Sequence, residues 1–289
     1  MQIDGRPINQ NVPPYIIAEM SANHGGDIAK ALRIIDEAKR AGCDAVKIQV
    51  YDPYKLARAR GGLEKVVQTG PWAGRNLLSI YTEGATHYDW LPMLDEFAEQ
   101  MEITLFPSVF DTVSLAMVED VMDPPAYKIS SFDLLNTELV TAICATGKPI
   151  IASTGMASDT EIRKAIAILQ EKATADWALL HCVSAYPCAM DRANVRRIAK
   201  LGRITKGRVP VGYSDHTLGI IAAVASVAVG AEIIEKHLKL SDDDRTLDAS
   251  FSATPHEMAA LVGAARLAWC AVGDEGVEEQ PHKDLRVVT

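Results

Sequence analysis

Short runs of β-branched and apolar residues recur down this chain, each followed sooner or later by a stretch in which apolar residues return every three or four positions. The runs fall at 15–20, 45–50, 103–108, 126–131, 149–154, 178–183, 209–214 and 232–238, and the helical patterns begin near Asp27, Tyr88, Thr112, Asn136, Asp159, Asp191, Thr217 and Thr254. Such alternation marks parallel strands joined by helical crossovers. Eight such units in 289 residues fit a closed α/β barrel, a single-domain (β/α)8 TIM barrel, better than an open doubly wound sheet, whose first turn carries a glycine-rich nucleotide loop. Neither GxGxxG nor GxxxxGK[ST] occurs in the sequence.

The second strand breaks the rhythm. Its helix is delayed by a 52–87 insertion, rich in glycine, polar and aromatic residues, which leaves the barrel at the end where such folds build their sites. It reads as a substrate loop or lid, with a passive surface excursion as the alternative. Residues 1–14 read as a hairpin around Asp4-Gly5 capping the opposite end, residues 15–272 as the catalytic barrel, and 273–289 as a polar surface tail.

At 48% hydrophobic and 23% charged residues, the chain can bury a large core, which excludes a disordered or fibrous protein. A net charge of −9 with scattered Lys and Arg excludes a nucleic-acid stripe, so an anionic ligand needs a local positive pocket. No apolar run is long enough for a membrane span, and the start lacks the pattern of a signal peptide, so a cytoplasmic protein without membrane partners is expected. The cysteines form no CxxC pair and are read as reduced thiols.

Polar residues crowd the carboxyl ends of strands that are otherwise apolar: Glu19, Lys47, Gln49, Ser108, Lys128, Ser131, Ser153, Ser184, Tyr186, Ser214, His216, Glu235 and His237. Side chains alternate along a strand, so Lys47 and Gln49 share one face, as do Glu235 and His237. Two lysines and several hydroxyls at one mouth suit a small, highly charged anion; the alternative is that the lysines are ion-paired structural residues. His216 and His237 end neighbouring strands, placed to share a divalent metal whose other positions are filled by water and substrate. His24, His87, His181, His256 and His282 form no comparable pair and read as surface, turn or core residues.

The segments IIAEMSANHGGD (16–27), DAVKIQVY (44–51), YKISSFD (127–133), GKPIIASTGM (147–156), HCVSAYP (181–187), VGYSDHTLGI (211–220) and IIEKHLKL (233–240) together resemble the sialic-acid (N-acetylneuraminate) synthase family over nearly the whole chain. Within it, SANH (21–24), WAGRNLLSIYTEG (72–84), SSFD (130–133) and DASFS (248–252) look more like the pseudaminic-acid synthase branch.

The resemblance implies condensation of phosphoenolpyruvate with an open-chain acetamido sugar, a 6-deoxy diacetamido hexose on the branch likeness. It implies that Lys47, Ser108, Lys128, Ser131, Ser153, Ser184 and Ser214 hold phosphoenolpyruvate, that Gln49, Tyr186 and Asp248 meet the sugar, and that His216 and His237 bind Mn2+, with Mg2+ or Co2+ as alternatives. Glu19 and Glu235 are the candidate proton carriers, the choice between them left open. The family commonly continues into an antifreeze-like domain that reaches across a dimer, whereas this sequence stops at Thr289; the expectation is a homodimer, or a separate protein supplying that domain. The competing readings are a synthase for another aldose, a lysine-dependent aldolase, and a catalytically silent sugar- or partner-binding barrel.

Overall fold

In the computed structural model, which describes residues 1–273, eight parallel strands close into a barrel. Ahead of them β1 (Gln2–Ile3) and β2 (Arg6–Pro7) pair antiparallel. The barrel strands are β3 (Tyr15–Glu19), β4 (Ala45–Val50), β5 (Thr104–Val109), β6 (Tyr127–Ile129), β7 (Ile150–Ser153), β8 (Trp177–Cys182), β9 (Val211–Asp215) and β10 (Ile233–His237), each paired with its successor while β10 closes on β3. The surface tail expected at 273–289 lies, from residue 274 onward, outside the described residues, and His282 with it.

The strand period sorts the side chains into two cores. Ile16, Ala18, Val46, Ile48, Leu105, Ile129 and Ile234 point outward and pack beneath the helices. Tyr15, Ile17, Ala45, Phe106, Ile151, Leu180 and Ile233 point inward and, with Ile3 and Ile8 from beside the hairpin, make an apolar floor. One step further up the same inward rows the residues turn polar. Register sets Glu19 opposite both Lys47 and His237, Gln49 opposite Ser108, Ser108 opposite Lys128, and Glu235 opposite Ser214. The site is therefore a polar layer resting on a filled apolar one, the usual division of labour in this fold.

The crossover helices begin where side chains can satisfy their first amides. Asp27 accepts from Ala29 ahead of α1 (Ile28–Arg40), and Asp111 from Val113 and Ser114 ahead of the helix Thr112–Val121. Ser158 with Glu161, and Thr254 with Glu257, form capping boxes. Two expected starts are displaced. The helix expected from Asp191 begins only at Arg197, after a 3-10 turn at Met190–Arg192. The one expected from Thr217 begins at Ile221, because Thr217 is held elsewhere: its amide donates to Asp215 and its carbonyl accepts from Lys236 at 2.8 Å.

The 52–87 segment folds into α2 (Pro53–Ala59) and α3 (Leu77–Gly84), capped by Asp52 and Asn76. Leu56, Ala57, Leu77 and Ile80 are buried, so the segment packs over the barrel mouth.

Candidate active site at the barrel mouth

Two carboxylates and two lysines lie at the foot of the mouth cavity, all nearly without solvent exposure. Lys47 Nζ is 2.6 Å from Glu19 Oε2 and 3.5 Å from Glu235 Oε1, while Lys128 Nζ lies 3.9 Å from Glu235 Oε2. Gln49 Nε2 donates to Glu19 Oε1 at 2.7 Å, and Ser214 Oγ donates to Glu235 Oε1 at 3.2 Å. The cluster is not symmetrical. Burial raises the Glu19 carboxyl above its ordinary range, more than Lys47 can offset. Burial also acts on Glu235, yet there Lys128 and Lys47 together prevail and hold it low. The lysines diverge too: burial lowers Lys128, whereas for Lys47 the two carboxylates overcome burial and raise it. Environments that push like groups apart are how one site holds a proton carrier beside a fixed charge.

Hydroxyls ring this cluster. Ser153 Oγ takes the Lys128 ammonium at 2.6 Å, and Ser108 Oγ donates to the Lys128 carbonyl at 3.3 Å. Ser131 Oγ accepts from the Gly155 amide at 3.1 Å and lies 2.9 Å from Cys182 Sγ. A Cβ on Gly155 would stand 2.5 Å from Cys182 Sγ, 2.6 Å from Ser184 Oγ and 2.8 Å from Ser131 Oγ, so the absent side chain leaves room where two hydroxyls converge. Ser184 Oγ is buried without a partner. Among the residues expected from the sequence, Ser184 alone is not in the cavity wall; it stands behind Gly155.

His216 and His237 face each other across adjacent strands with ring centroids 5.5 Å apart. Burial drives both below the ordinary imidazole range, His237 well below, so both rings are neutral. His216 Nδ1 lies 2.8 Å from the Val183 carbonyl, an acceptor, which places the proton there and leaves the Nε2 lone pair free. His237 Nδ1 is buried, without a hydrogen bond, 3.8 Å from Asp248 Oδ2. Two neutral imidazoles, one oriented by a carbonyl, fit a divalent cation. Among the described residues no set of three metal-binding side chains converges, so the remaining ligands would be water or substrate oxygens.

Above this layer Gln49, Tyr186 and Asp248 line the wall. Asp248 Oδ2 accepts from Ser21 Oγ at 2.5 Å, and Ser21 Oγ accepts from Gln49 Nε2 at 2.8 Å. Trp72, from the insertion, donates to the Leu247 carbonyl at 2.9 Å and leans on Tyr186 and Phe251. Arg60 Nη2 bridges both oxygens of Asp133 at 2.8 and 2.7 Å, tying the insertion to the loop after β6. The four segments SANH, WAGRNLLSIYTEG, SSFD and DASFS thus meet around one rim.

Arg60, Trp72, Ser21 and Cys182 also line the cavity and were missed by sequence reasoning. Cys182 was within reach, since it occupies an inward position of β8; Arg60 and Trp72 lie in an insertion with no period to place them. Of the other histidines, His24 is buried, with burial carrying its pKa down to about 4, and His181 is buried with Nε2 2.9 Å from the Ala193 carbonyl. His87 and His256 are exposed.

A model of the NeuB family matches residues 34–276. The chain is 38% identical over 266 residues to the pseudaminic acid synthase of Campylobacter jejuni subsp. jejuni, covering 92% of this chain and 77% of that one. It is 31% identical over 273 residues to the N-acetylneuraminate-9-phosphate synthase of Mus musculus, covering 93% and 74%. Among solved structures, the N-acetylneuraminic acid (sialic acid) synthetase of Leptospira borgpetersenii serovar Hardjo-bovis, in complex with citrate, superposes with a TM-score of 0.86 at 33% identity over 99% of this chain and 94% of that one.

Proposed function

The chain belongs to the NeuB family, and from that premise we propose that it is a nonulosonic acid synthase, joining phosphoenolpyruvate to an open-chain acetamido sugar to give a sialic-type acid and phosphate. One observation carries the reading beyond family membership: Lys47, Lys128, Glu19 and Glu235 are buried together beneath two neutral imidazoles. That arrangement suits a reaction that binds a multiply charged anion and builds positive charge on carbon.

In this reading Lys47 and Lys128 meet the carboxylate and phosphate of phosphoenolpyruvate as point charges, and Ser108, Ser131, Ser153 and Ser214 donate hydrogen bonds to its oxygens, while Ser184, outside the cavity wall, backs the cradle beside Gly155. Gln49, Tyr186 and Asp248 hold the sugar with its aldehyde over C3 of phosphoenolpyruvate. C3 attacks the aldehyde carbon, and the new C–C bond leaves oxocarbenium character at C2, which the fixed charge of Glu235 stabilises. Water adds to C2 and its proton passes to Glu19, whose raised pKa fits it to take one and to hand it on to the alkoxide left on the former aldehyde carbon. The tetrahedral intermediate then breaks its C2–O bond to phosphate, and the C2 hydroxyl proton departs with the phosphate, leaving the keto acid. A divalent ion, Mn2+ in this reading with Mg2+ or Co2+ as alternatives, would be held by His216 and His237 and supply Lewis acidity at the aldehyde oxygen.

The sugar proposed is a 6-deoxy diacetamido hexose. Greater identity to the pseudaminic acid synthase than to the N-acetylneuraminate-9-phosphate synthase supports it. So does the insertion's side of the cavity, where Leu56, Leu77 and Ile80, beside Arg60 and Tyr81, offer apolar surface to methyl groups. The reading takes the protein as a cytoplasmic homodimer, or as one closed by a separate protein; light scattering of the purified chain distinguishes these. Among the described residues no helix is long and apolar enough to cross a membrane.

A second reading draws on Lys128, whose lowered pKa is a trait of Schiff-base lysines. Borohydride in the presence of pyruvate would trap such an enzyme covalently, and the synthase leaves nothing to trap. The direct test is phosphate release from phosphoenolpyruvate with Mn2+, with 6-deoxy diacetamido hexoses and N-acetylmannosamine in parallel and His237→Ala as control. Metal-dependent release with one sugar names the substrate; none with any sugar from folded, metal-loaded protein refutes the reading.

A further inference from the structure

Ser21 follows the last residue of β3 by two positions and holds a φ of 45°, in the left-handed region that L side chains rarely adopt. Glycine occupies that region without steric cost, whereas a residue with a Cβ is held there only when its surroundings insist. Here the side chain gives the reason. The Ser21 hydroxyl is buried, donates its single proton to Asp248 Oδ2 at 2.5 Å, and accepts from Gln49 Nε2 at 2.8 Å. Gln49 Nε2 in turn donates to Glu19 Oε1 at 2.7 Å. One hydroxyl therefore links a carboxylate from beyond β10, 227 positions away in sequence, to the amide of β4 and through it to the carboxylate of β3.

We infer that Ser21 is a positioning residue for sugar recognition: its left-handed backbone is kept so that its hydroxyl can fix the Asp248 carboxylate and the Gln49 amide at the mouth. This rests on the synthase reading and deepens it. Without the hydroxyl, Asp248 Oδ2 keeps only long contacts, with the Ala22 amide at 3.5 Å and His237 Nδ1 at 3.8 Å, and Gln49 Nε2 keeps only Glu19. Both sugar-facing groups would then be free to turn. The phosphoenolpyruvate cradle makes no direct hydrogen bond to Ser21, and Lys47, reached only through Gln49 and Glu19, keeps its own ion pairs with Glu19 and Glu235.

The test compares Ser21→Gly with Ser21→Ala, which both delete the hydroxyl but differ in strain. Expected results are a loss of kcat/KM for the sugar of about tenfold or more in both, with KM for phosphoenolpyruvate within about twofold of the parent. Ser21→Gly should also melt above Ser21→Ala, since only glycine relaxes at this φ. A general loosening of the loop would instead move both substrates' parameters together, and that result overturns the inference. So does a Ser21→Gly enzyme with parental sugar kinetics, or an alanine variant that melts as high as the glycine one. If the unsubstituted protein releases no phosphate with any sugar, the synthase reading fails. The melting order then still decides whether Ser21 is held against its backbone preference.

Discussion

Replacing Glu235 by glutamine removes one negative charge from the buried cluster with almost no change of shape. At separations of 3.5 and 3.9 Å from Lys47 and Lys128, each attraction is worth about 4–5 kcal/mol at an effective dielectric constant near 20, before desolvation is counted. Removing one partner of a buried ion pair costs about 3–5 kcal/mol net, which for a chain of this size is a fall in melting temperature of roughly 10 °C. Lys128 limits the loss, because burial already lowers its pKa and it can shed its proton once Glu235 no longer holds it. Between that lowered value and the ordinary lysine value, the unfolded chain binds one proton more than the native one, so stability rises with pH. The deficit of Glu235→Gln should therefore narrow as the pH is raised from about 7 to about 9. Inorganic phosphate, supplying the missing negative charge, should raise the variant's melting temperature more than the parent's. Differential scanning fluorimetry over pH and phosphate measures all three. A variant within about 2 °C of the parent at neutral pH, or a deficit that widens with pH, would show that Glu235 does not clamp the two lysines.

Gly155→Ala should raise KM for phosphoenolpyruvate about tenfold or more, because Cys182, Ser184 and Ser131 must all retreat from the new methyl; an unchanged KM removes the serine cradle from the account. His237→Ala should weaken Mn2+ binding by calorimetry beyond the roughly 10–100-fold loss typical of an outer-shell partner, and parental affinity would place the metal elsewhere. On the outer face of the barrel Lys236 and Asp215 form a fully buried pair at 2.8 Å. Lys236→Met alone should cost about 3–5 kcal/mol in urea unfolding, while Lys236→Met with Asp215→Leu recovers most of it; equal losses in the two would contradict the unpaired-charge argument.

The strands were legible because their pattern is local. In β4 and β10 a period of two assigns Lys47, Gln49, Glu235 and His237 to the barrel axis from sequence alone, and eight repeats of the unit leave only closure to explain. Helix starts followed where a capping side chain was free to cap, as at Asp27 and Thr254. They failed at Thr217, whose backbone is engaged by Asp215 and Lys236, a contact that no window of sequence contains. The two helices of the insertion have no readable period because they are only seven and eight residues long and are separated by a stretch containing Gly61, Gly62, Gly70 and Gly74, so that burial against the barrel organises them.

Sequence by itself determined the barrel, the inward rows and the chemical inventory of the mouth, since each depends on residues within a few positions of one another. Tertiary structure decided how that inventory is used. Strand register set Glu19 against Lys47, and closure of the barrel brought both lysines against Glu235, so that two chemically alike carboxyls are driven in opposite directions. Loop closure brought Ser21 to Asp248 and Arg60 to Asp133, and placed Ser184 behind Gly155. Electrostatic and hydrogen-bond energies change over fractions of an ångström, and distances of that kind exist only once the chain has closed on itself.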